Sequence, residues 1–593
     1  MHLRDCLIRA KTAGNDSKYR KILRTIEREE QKSIWRRINR AVDDPSLGAV
    51  PFVQREEQGE IVDINETQAM NTEIQEVTER RFDLSMSAPI TMTSLRGRLG
   101  FLSETDFAIQ MLRGEVHIPP DVDASTTLVL EEIIRLFCTL HEGHTKIILE
   151  AEEFKHYWWR VREKTSSSIS GIHFGHYKSA VYSPPLSDFL ARKITLIAKC
   201  GCPPERWGHG LQVLLEKIAG VALVSKLRAI LLMEGDFNYM NKWIFGHDAI
   251  NKLYELGYIP GDQYSQKEST TEDARMDNCL TMDILRQMKQ PLATMSADAD
   301  KCYDRINHIV MSLLLMAIVG SIGSIVAMLF PIQTMKFFQR TARGDSTTFM
   351  GGRGKDNPLQ GLCQGNGAAP ACWLMLSSVL MHCYKRQGFG SRILSQISGA
   401  IIDFLGEIYV NNTNLTVTRP EFTTAQETQE GLKEAAWAWA SCLNATGEAI
   451  NPEKSRWIYA GYEWNNDGTW EYAIQPNLPM EIPLPEGSSA TISQAEVSTA
   501  EKALGVWSTV DGNNSTHIAR NITGRFQKWT SKMTNGHLSA RLGWIAYKFK
   551  LWPGIRYGLS TLAMPLRTAK NALQKENFLI LPFLGVNRNV KRE

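Results

Sequence analysis

Residues 512–575 contain no aspartate and no glutamate. Eleven basic residues occupy that interval: Arg520, Arg525, Lys528, Lys532, Arg541, Lys548, Lys550, Arg556, Arg567, Lys570 and Lys575. A block of one sign, interleaved with Trp529, Trp544 and Trp552, argues against a cationic partner and suits a polyanion such as nucleic acid. A disulfide framework is also missing. The ten cysteines are scattered, and only Cys200 and Cys202 lie close together. That excludes a small disulfide-built secreted scaffold and fits reduced thiols in an intracellular protein, cytoplasmic or nuclear. Cys200, Cys202 and nearby His209 lack the second pair that a zinc site requires. The opening M-H-L-R-D-C-L-I-R-A has no apolar core, so it does not read as a secretory signal. Residues 309–330 run for 22 positions without a charge, long enough to cross a bilayer. Gly320, Ser321, Gly323 and Ser324 divide that run, however, and Pro331 closes it. Two short buried helices joined at the Gly-Ser bend fit better, and no membrane is expected as a partner.

The 593 residues are 43% hydrophobic and 22% charged, which fits a folded chain of several domains. Net charge is only +3, yet residues 1–511 hold 53 Lys and Arg against 62 Asp and Glu. The basic block therefore stands against an acidic remainder. Residues 18–40 read as a basic amphipathic helix, with Ile22, Ile26, Ile34, Trp35 and Ile38 near a 3.6-residue period. An acidic loop is expected at 56–66. Residues 126–163 read as helical and end on Tyr157, Trp158 and Trp159. Residues 1–160 thus form a mainly helical N-terminal extension to which no chemistry attaches. Residues 164–171, K-T-S-S-S-I-S-G, read as a polar loop. Residues 186–235 read as largely helical, carrying Lys226 and Arg228, and a helix with Asn241 and Lys242 follows. Residues 476–485, with Gly487, Ser488 and Ser489, read as a linker before a last segment that begins near Ile492.

Three stretches carry a pattern. Residues 293–298, A-T-M-S-A-D, read as a buried strand ending in a carboxylate, with Tyr303 and Asp304 shortly after. Residues 361–370, G-L-C-Q-G-N-G-A-A-P, form a glycine-rich loop around Gln364. Residues 408–418, I-Y-V-N-N-T-N-L-T-V-T, read as a hairpin. Its β-branched and aromatic runs favour strands, and Asn411 and Asn412 tolerate the left-handed backbone of a tight turn. Each stretch alone is an ordinary structural feature. Their order is specific.

In that order the chain resembles the reverse transcriptases of non-long-terminal-repeat retroelements, from about residue 164 to beyond Lys454 and on through the basic block. Asp298 with Tyr303 and Asp304 is similar to the family's motif A. Gly361-Leu362-Cys363-Gln364-Gly365 is similar to the motif usually read G-L-P-Q-G, with Cys363 in place of proline. Tyr409-Val410-Asn411-Asn412 stands where the family carries an aromatic residue, any residue, then two aspartates. Asn451-Pro452-Glu453-Lys454 resembles the segment bearing the motif D lysine, and Lys226 and Arg228 resemble the basic pair of an R-P-I-type strand. The resemblance implies an α+β right-hand polymerase. Its fingers would be 161–290, its palm 291–475 with a fingers-return segment at 305–360, and its linker and basic helical thumb 476–593. It implies RNA-templated DNA synthesis, in which a primer 3′-hydroxyl attacks the α-phosphate of a deoxynucleoside triphosphate. Two Mg²⁺ ions would activate the hydroxyl and clamp the phosphorus. Asp298, Asn411 and Asn412 occupy the metal positions. Tyr303 would exclude a 2′-hydroxyl, and Gln364 and Gly365 would line the nucleotide. Lys226 and Arg228 would hold the triphosphate, and Lys454 would protonate the leaving pyrophosphate. Arg520, Arg525, Lys528, Lys532, Arg541, Lys548 and Lys550 would grip the phosphates of primer and template.

The sequence departs from the family where the chemistry is most demanding. Mg²⁺ prefers carboxylate oxygens, and an Asp-to-Asn exchange keeps the shape while removing the charge. Asn411 and Asn412 would therefore impair the centre, and Asn414 stands where a close relative would carry a third aspartate. All three exchanges correspond to single G→A transitions. The expectation is a reverse-transcriptase domain protein of a retrotransposon with a defective centre. The alternative is a non-catalytic RNA-binding protein, maturase-like or structural, on the same fold. An RNA-directed RNA polymerase is a lesser alternative, because bulky Tyr303 leaves little room for a ribonucleotide. No endonuclease constellation appears in the first 160 residues. The last residues, Val590-Lys591-Arg592-Glu593, show no clear stop in pattern, as a fragment of a longer element would.

Overall fold

The computed structural model describes residues 2–42, 49–140, 145–163, 168–218, 220–395, 397–419, 421–422, 424–474, 479–536, 538–557, 559 and 565–586. Residues 164–167 of the expected polar loop at 164–171, residues 476–478 of the expected linker and the chain end at 587–593 lie outside them. The fold mixes helices with several separate sheets, most strand pairs being antiparallel. It divides into two compact units, residues 47–274 with 281–497, and residues 1–46 with 275–280 and 498–593.

In the larger unit β1 (Val53–Glu57) and β2 (Glu60–Ile64) make a hairpin where an acidic loop was expected. Glu66 then caps the helix Thr67–Asp83 by accepting hydrogen bonds from the backbone of Gln68 and Ala69. Next come β3 (His209–Leu215), β4 (Arg228–Leu232), β5 (Leu292–Asp298), β6 (Lys336–Thr341) and β7 (Gly344–Gly351). β4, β3, β6 and β7 form a four-stranded sheet in that order. Within residues 186–235 the one long helix is Pro184–Cys200, followed only by two short 3-10 turns before the next helix starts at Gly235. The runs L-Q-V-L-L and R-A-I-L-L beyond it pair as strands, because five apolar-rich residues suit either structure until a partner strand is available.

After β8 (Ser391–Leu394) and β9 (Ile401–Phe404) come β10 (Gly406–Tyr409) and β11 (Asn412–Val417), then β12 (Arg456–Ala460). β13 (Tyr462–Trp464) pairs with β14 (Trp470–Tyr472), and β15 (Met480–Pro483) with β16 (Ser489–Gln494). A six-stranded sheet runs β10-β11-β5-β12-β16-β15. The expected linker thus contributes β15, its edge strand, which is where a strand ending in proline is tolerated. β5 sits in the middle, and every residue from Leu292 to Met295 is buried. Its alanines and methionine are covered on both faces, and the helix Ala425–Ala445 packs on β5 and β11. The apolar run at 309–330 becomes two helices, His308–Val319 and Ile322–Gln333, with left-handed Gly320 between them. Pro331 lies inside the second helix instead of closing it. Among the described residues no helix is long and apolar enough to cross a membrane.

The smaller unit joins the two ends of the sequence. The helix Asp16–Val42 supplies Ile38 to a core built with Ile522, Phe526, Trp529 and Met533 of the helix Ser515–Gly536. Those four residues follow helical spacing, so Arg520 and Lys528 fall on the opposite, exposed face. Of residues 1–160, residues 1–46 group with the C-terminal segment and 47–160 with the larger unit.

Candidate active site

Antiparallel register brings the distant motifs together. Asn412 pairs directly with Asp298 across β11 and β5, and Arg456 pairs with Ser296 on the other side. The chain leaving β5 stays bonded to its neighbours. The Ala299 N–H donates to the Asn411 carbonyl (2.8 Å), and the Asn451 N–H donates to the Asp298 carbonyl (2.8 Å). Asp298, Asn411, Asn412 and Lys454 therefore meet at one end of the sheet. Asn411 Nδ2 donates to Asp298 Oδ1 at 2.6 Å, and Lys454 Nζ donates to Asp298 Oδ2 at 3.0 Å. Asn412 Nδ2 lies 3.4 Å from Asn411 Oδ1. Ser455 Oγ accepts from the Asp298 backbone at 3.2 Å.

The hairpin tip differs from the expected turn. The left-handed residue is Val410, with φ 54°, and not an asparagine. A β-branched residue at positive φ is strained by roughly 1–3 kcal/mol and persists only where its surroundings fix it. Here Trp373 Nε1 donates to the Val410 carbonyl at 2.6 Å, and the Val410 N–H donates to Ser265 Oγ at 3.2 Å. Further along, Asn414 Nδ2 donates to buried Glu407 at 2.9 Å.

The glycine-rich loop explains its own glycines. A Cβ on Gly361 would stand 2.5 Å from the Asp304 carbonyl, and one on Gly365 would stand 2.1 Å from that of Leu231. Both positions also have positive φ. The Leu231 N–H donates to the Gln364 carbonyl at 2.7 Å, tying the loop to β4. Cys363, where the resemblance leads one to expect proline, has φ 64°, which a proline ring cannot adopt. Gln364 is half-buried and Gly365 exposed. Tyr303 is half-buried, and burial, with Cys302 and Tyr409 alongside, pushes its phenol up to about 12.

Arg228 is exposed at the first position of β4, and exposed Lys226 ends the 3-10 turn before it. Lys217 also belongs to this group, although it sits in no motif and sequence reasoning missed it. Its ammonium is lowered first by partial desolvation, then by Arg81, Lys454 and Arg228, with Asp300 opposing. Arg81, Lys454 and Arg228 thus all disfavour the charged form of exposed Lys217.

Behind the end of β5 lies a buried ionic group. Asp300 pairs with Lys301 at 3.0 Å and Arg305 at 3.5 Å, and Arg305 Nε donates to the Gly447 carbonyl at 3.1 Å. Burial lifts the Asp304 carboxyl to about 6 and raises Glu448 well above the ordinary range. Among the described residues neither carboxylate oxygen of Glu448 has a hydrogen-bond partner.

Two Mg²⁺ ions would require several carboxylate oxygens facing one cavity. The expected set offers one carboxylate, Asp298, with an amide N–H on one oxygen and an ammonium on the other. Asn411 presents its amide nitrogen to Asp298, so it acts as a donor there, not a metal ligand. These residues do not suit the pair of ions.

In the smaller unit Arg520, Lys528, Arg541 and Lys548 are exposed, while Arg525, Lys532 and Lys550 are half-buried. Arg525 turns onto the Gly554 carbonyl and serves the fold. Trp544 and Trp552 are exposed, whereas Trp529 is buried in the core. Neither a scan against models of known protein families nor a search of curated proteins returns a match to this chain.

Proposed function

We propose that the chain is a reverse-transcriptase-type protein of retrotransposon origin that binds an RNA template, a DNA primer and deoxynucleoside triphosphates. Its nucleotidyl transfer is impaired by Asn411 and Asn412. The observation that carries this reading is the meeting of Asp298, Asn411, Asn412 and Lys454, which are more than a hundred residues apart at the extremes, at one sheet end. In this reading the six-stranded sheet is the palm, the four-stranded sheet belongs to the fingers, and the smaller unit is the thumb. Lys217, Arg228 and Lys454 meet the triphosphate, and the half-buried ring of Tyr303 stands against the sugar 2′ position. Arg520, Lys528, Arg541 and Lys548 meet backbone phosphates.

A second reading, a non-catalytic RNA-binding protein on the same fold, is favoured by the full engagement of Asp298 with Lys454 and Asn411. One pair of measurements separates the two. Binding to a primer–template duplex should weaken steeply with salt under both readings, and its absence would overturn both. Extension of a DNA primer on an RNA template should be weak in this chain. Recovery of extension in Asn411→Asp/Asn412→Asp supports descent from a polymerase. No recovery in a folded variant supports the binding role.

A further inference from the structure

The helix Pro184–Cys200 is apolar on two sides, and only one of them is covered. Ser187, Ala191, Ile194, Ile197 and Ala198 are buried, and the helix packs against the helices Ile322–Gln333 and Ala151–Arg160. The outer side carries Leu186, Phe189 and Leu196, which are 44%, 60% and 63% exposed. Their spacing continues through Lys193 to Cys200, both exposed, in steps of three and four. That spacing is the seam by which one helix receives the side chains of another. From Leu186 to Cys200 the stripe is about 21 Å long. Tyr182, just before the helix, meets Trp159 edge-on at 5.7 Å, and both rings are exposed. Charge of one sign borders the stripe. Arg192, Lys193 and Lys199 are exposed, and Asp188, the helix's one carboxylate, is taken up by Arg192 at 2.8 Å.

We propose that this face docks an acidic amphipathic helix of a partner protein. The partner's apolar stripe lies along Leu186, Phe189 and Leu196, and its flanking carboxylates meet Arg192, Lys193 and Lys199. A second copy of the same face would set those cations against their own kind. A phosphate backbone would gain nothing from the apolar side chains between the cations. A lipid surface is served by a broad apolar face, whereas Lys193 interrupts this narrow one. The inference stands apart from the polymerase reading, because none of the motif residues lies on this helix.

Fluorescence anisotropy with the full chain tests it. The probe is a labelled synthetic helix of three heptads, with leucine along its stripe and glutamate on either side. Saturable binding that weakens with salt is expected. Phe189→Glu/Leu196→Glu should weaken it at least tenfold, and so should Lys193→Glu/Lys199→Glu. Both pairs alter exposed side chains, so the circular dichroism of the chain should stay the same. A probe with lysine in place of glutamate should bind at least tenfold more weakly. Two further arms use vesicles of phosphatidylcholine with phosphatidylserine, and sedimentation of the chain alone. Vesicle capture without helix binding assigns the face to lipid, and a dimer dissolved by Phe189→Glu/Leu196→Glu assigns it to a second copy. Either result overturns the proposal, as does a lack of saturable helix binding or an affinity untouched by both double variants.

Discussion

Restoring carboxylates at the hairpin tip should make the fold depend on a divalent cation. In Asn411→Asp/Asn412→Asp the N–H that now serves Asp298 at 2.6 Å is replaced by a second negative charge, and position 412 adds a third. A hydrogen bond to a charged group contributes about 1.5–3 kcal/mol. Two like charges about 4 Å apart repel by roughly 4 kcal/mol at an effective dielectric constant near 20. Lys454, 3.0 Å from Asp298, offsets part of that repulsion. A net loss of about 3–5 kcal/mol without metal is the expected result. Mg²⁺ at a hundredfold excess over its dissociation constant would return about 2.7 kcal/mol. With an unfolding entropy of about 2 cal/mol/K per residue, 3 kcal/mol corresponds to a few degrees for a unit of roughly 400 residues. The melting temperature of the variant should thus fall by a few degrees in EDTA and largely recover in Mg²⁺, while that of the unmodified chain ignores the change. Primer extension should rise by at least about a hundredfold, equivalent to ~2.7 kcal/mol of barrier. Equal Mg²⁺ shifts in both proteins, or robust extension by the unmodified chain, would refute the reasoning.

Glu448→Leu should raise the unfolding free energy at pH 7.5 by about 1–4 kcal/mol, because it removes a buried carboxyl with no hydrogen-bond partner among the described residues. Asp304 and Glu448 both hold protons more tightly when folded, so their contribution favours the fold in acid and is lost as pH rises through their raised values. Denaturant melts at pH 4.5 and 7.5 should therefore show a flatter pH dependence in the variant, and a less stable variant at pH 7.5 contradicts this account. Asn414→Asp should destabilise by about 1–3 kcal/mol, since it sets a second buried carboxylate against Glu407 and removes the 2.9 Å hydrogen bond. Unchanged melting would contradict this account. Arg520→Gln/Lys528→Gln should lower the slope of log affinity against log salt for duplex nucleic acid by about 2, and an unchanged slope removes that helix face from the interface.

The central strands were legible because their signal is local. Residues 293–298 are apolar up to a terminal aspartate, and β-branched residues flank the two asparagines of the hairpin. The bend at Gly320 was equally plain. What escaped depended on partners far away in sequence. The runs forming β3 and β4 are too short and apolar to choose between helix and strand unaided. β15 was hidden by its prolines. Lys217 carries no local pattern, and only the approach of Arg228 and Lys454 marks it out. The left-handed turn fell to Val410, against its own preference, because Trp373 and Ser265 hold that backbone from outside.

Ile38 and Ile522 share one core although roughly 480 residues separate them. Bringing such distant segments together forfeits about 5 kcal/mol of chain freedom. A ribosome releases the helix Asp16–Val42 long before its packing partner exists. During synthesis that helix must wait with its apolar stripe uncovered while the larger unit assembles between the two halves of its own core. The smaller unit is therefore the last to be completed, and it is the first to be lost when either terminus is trimmed.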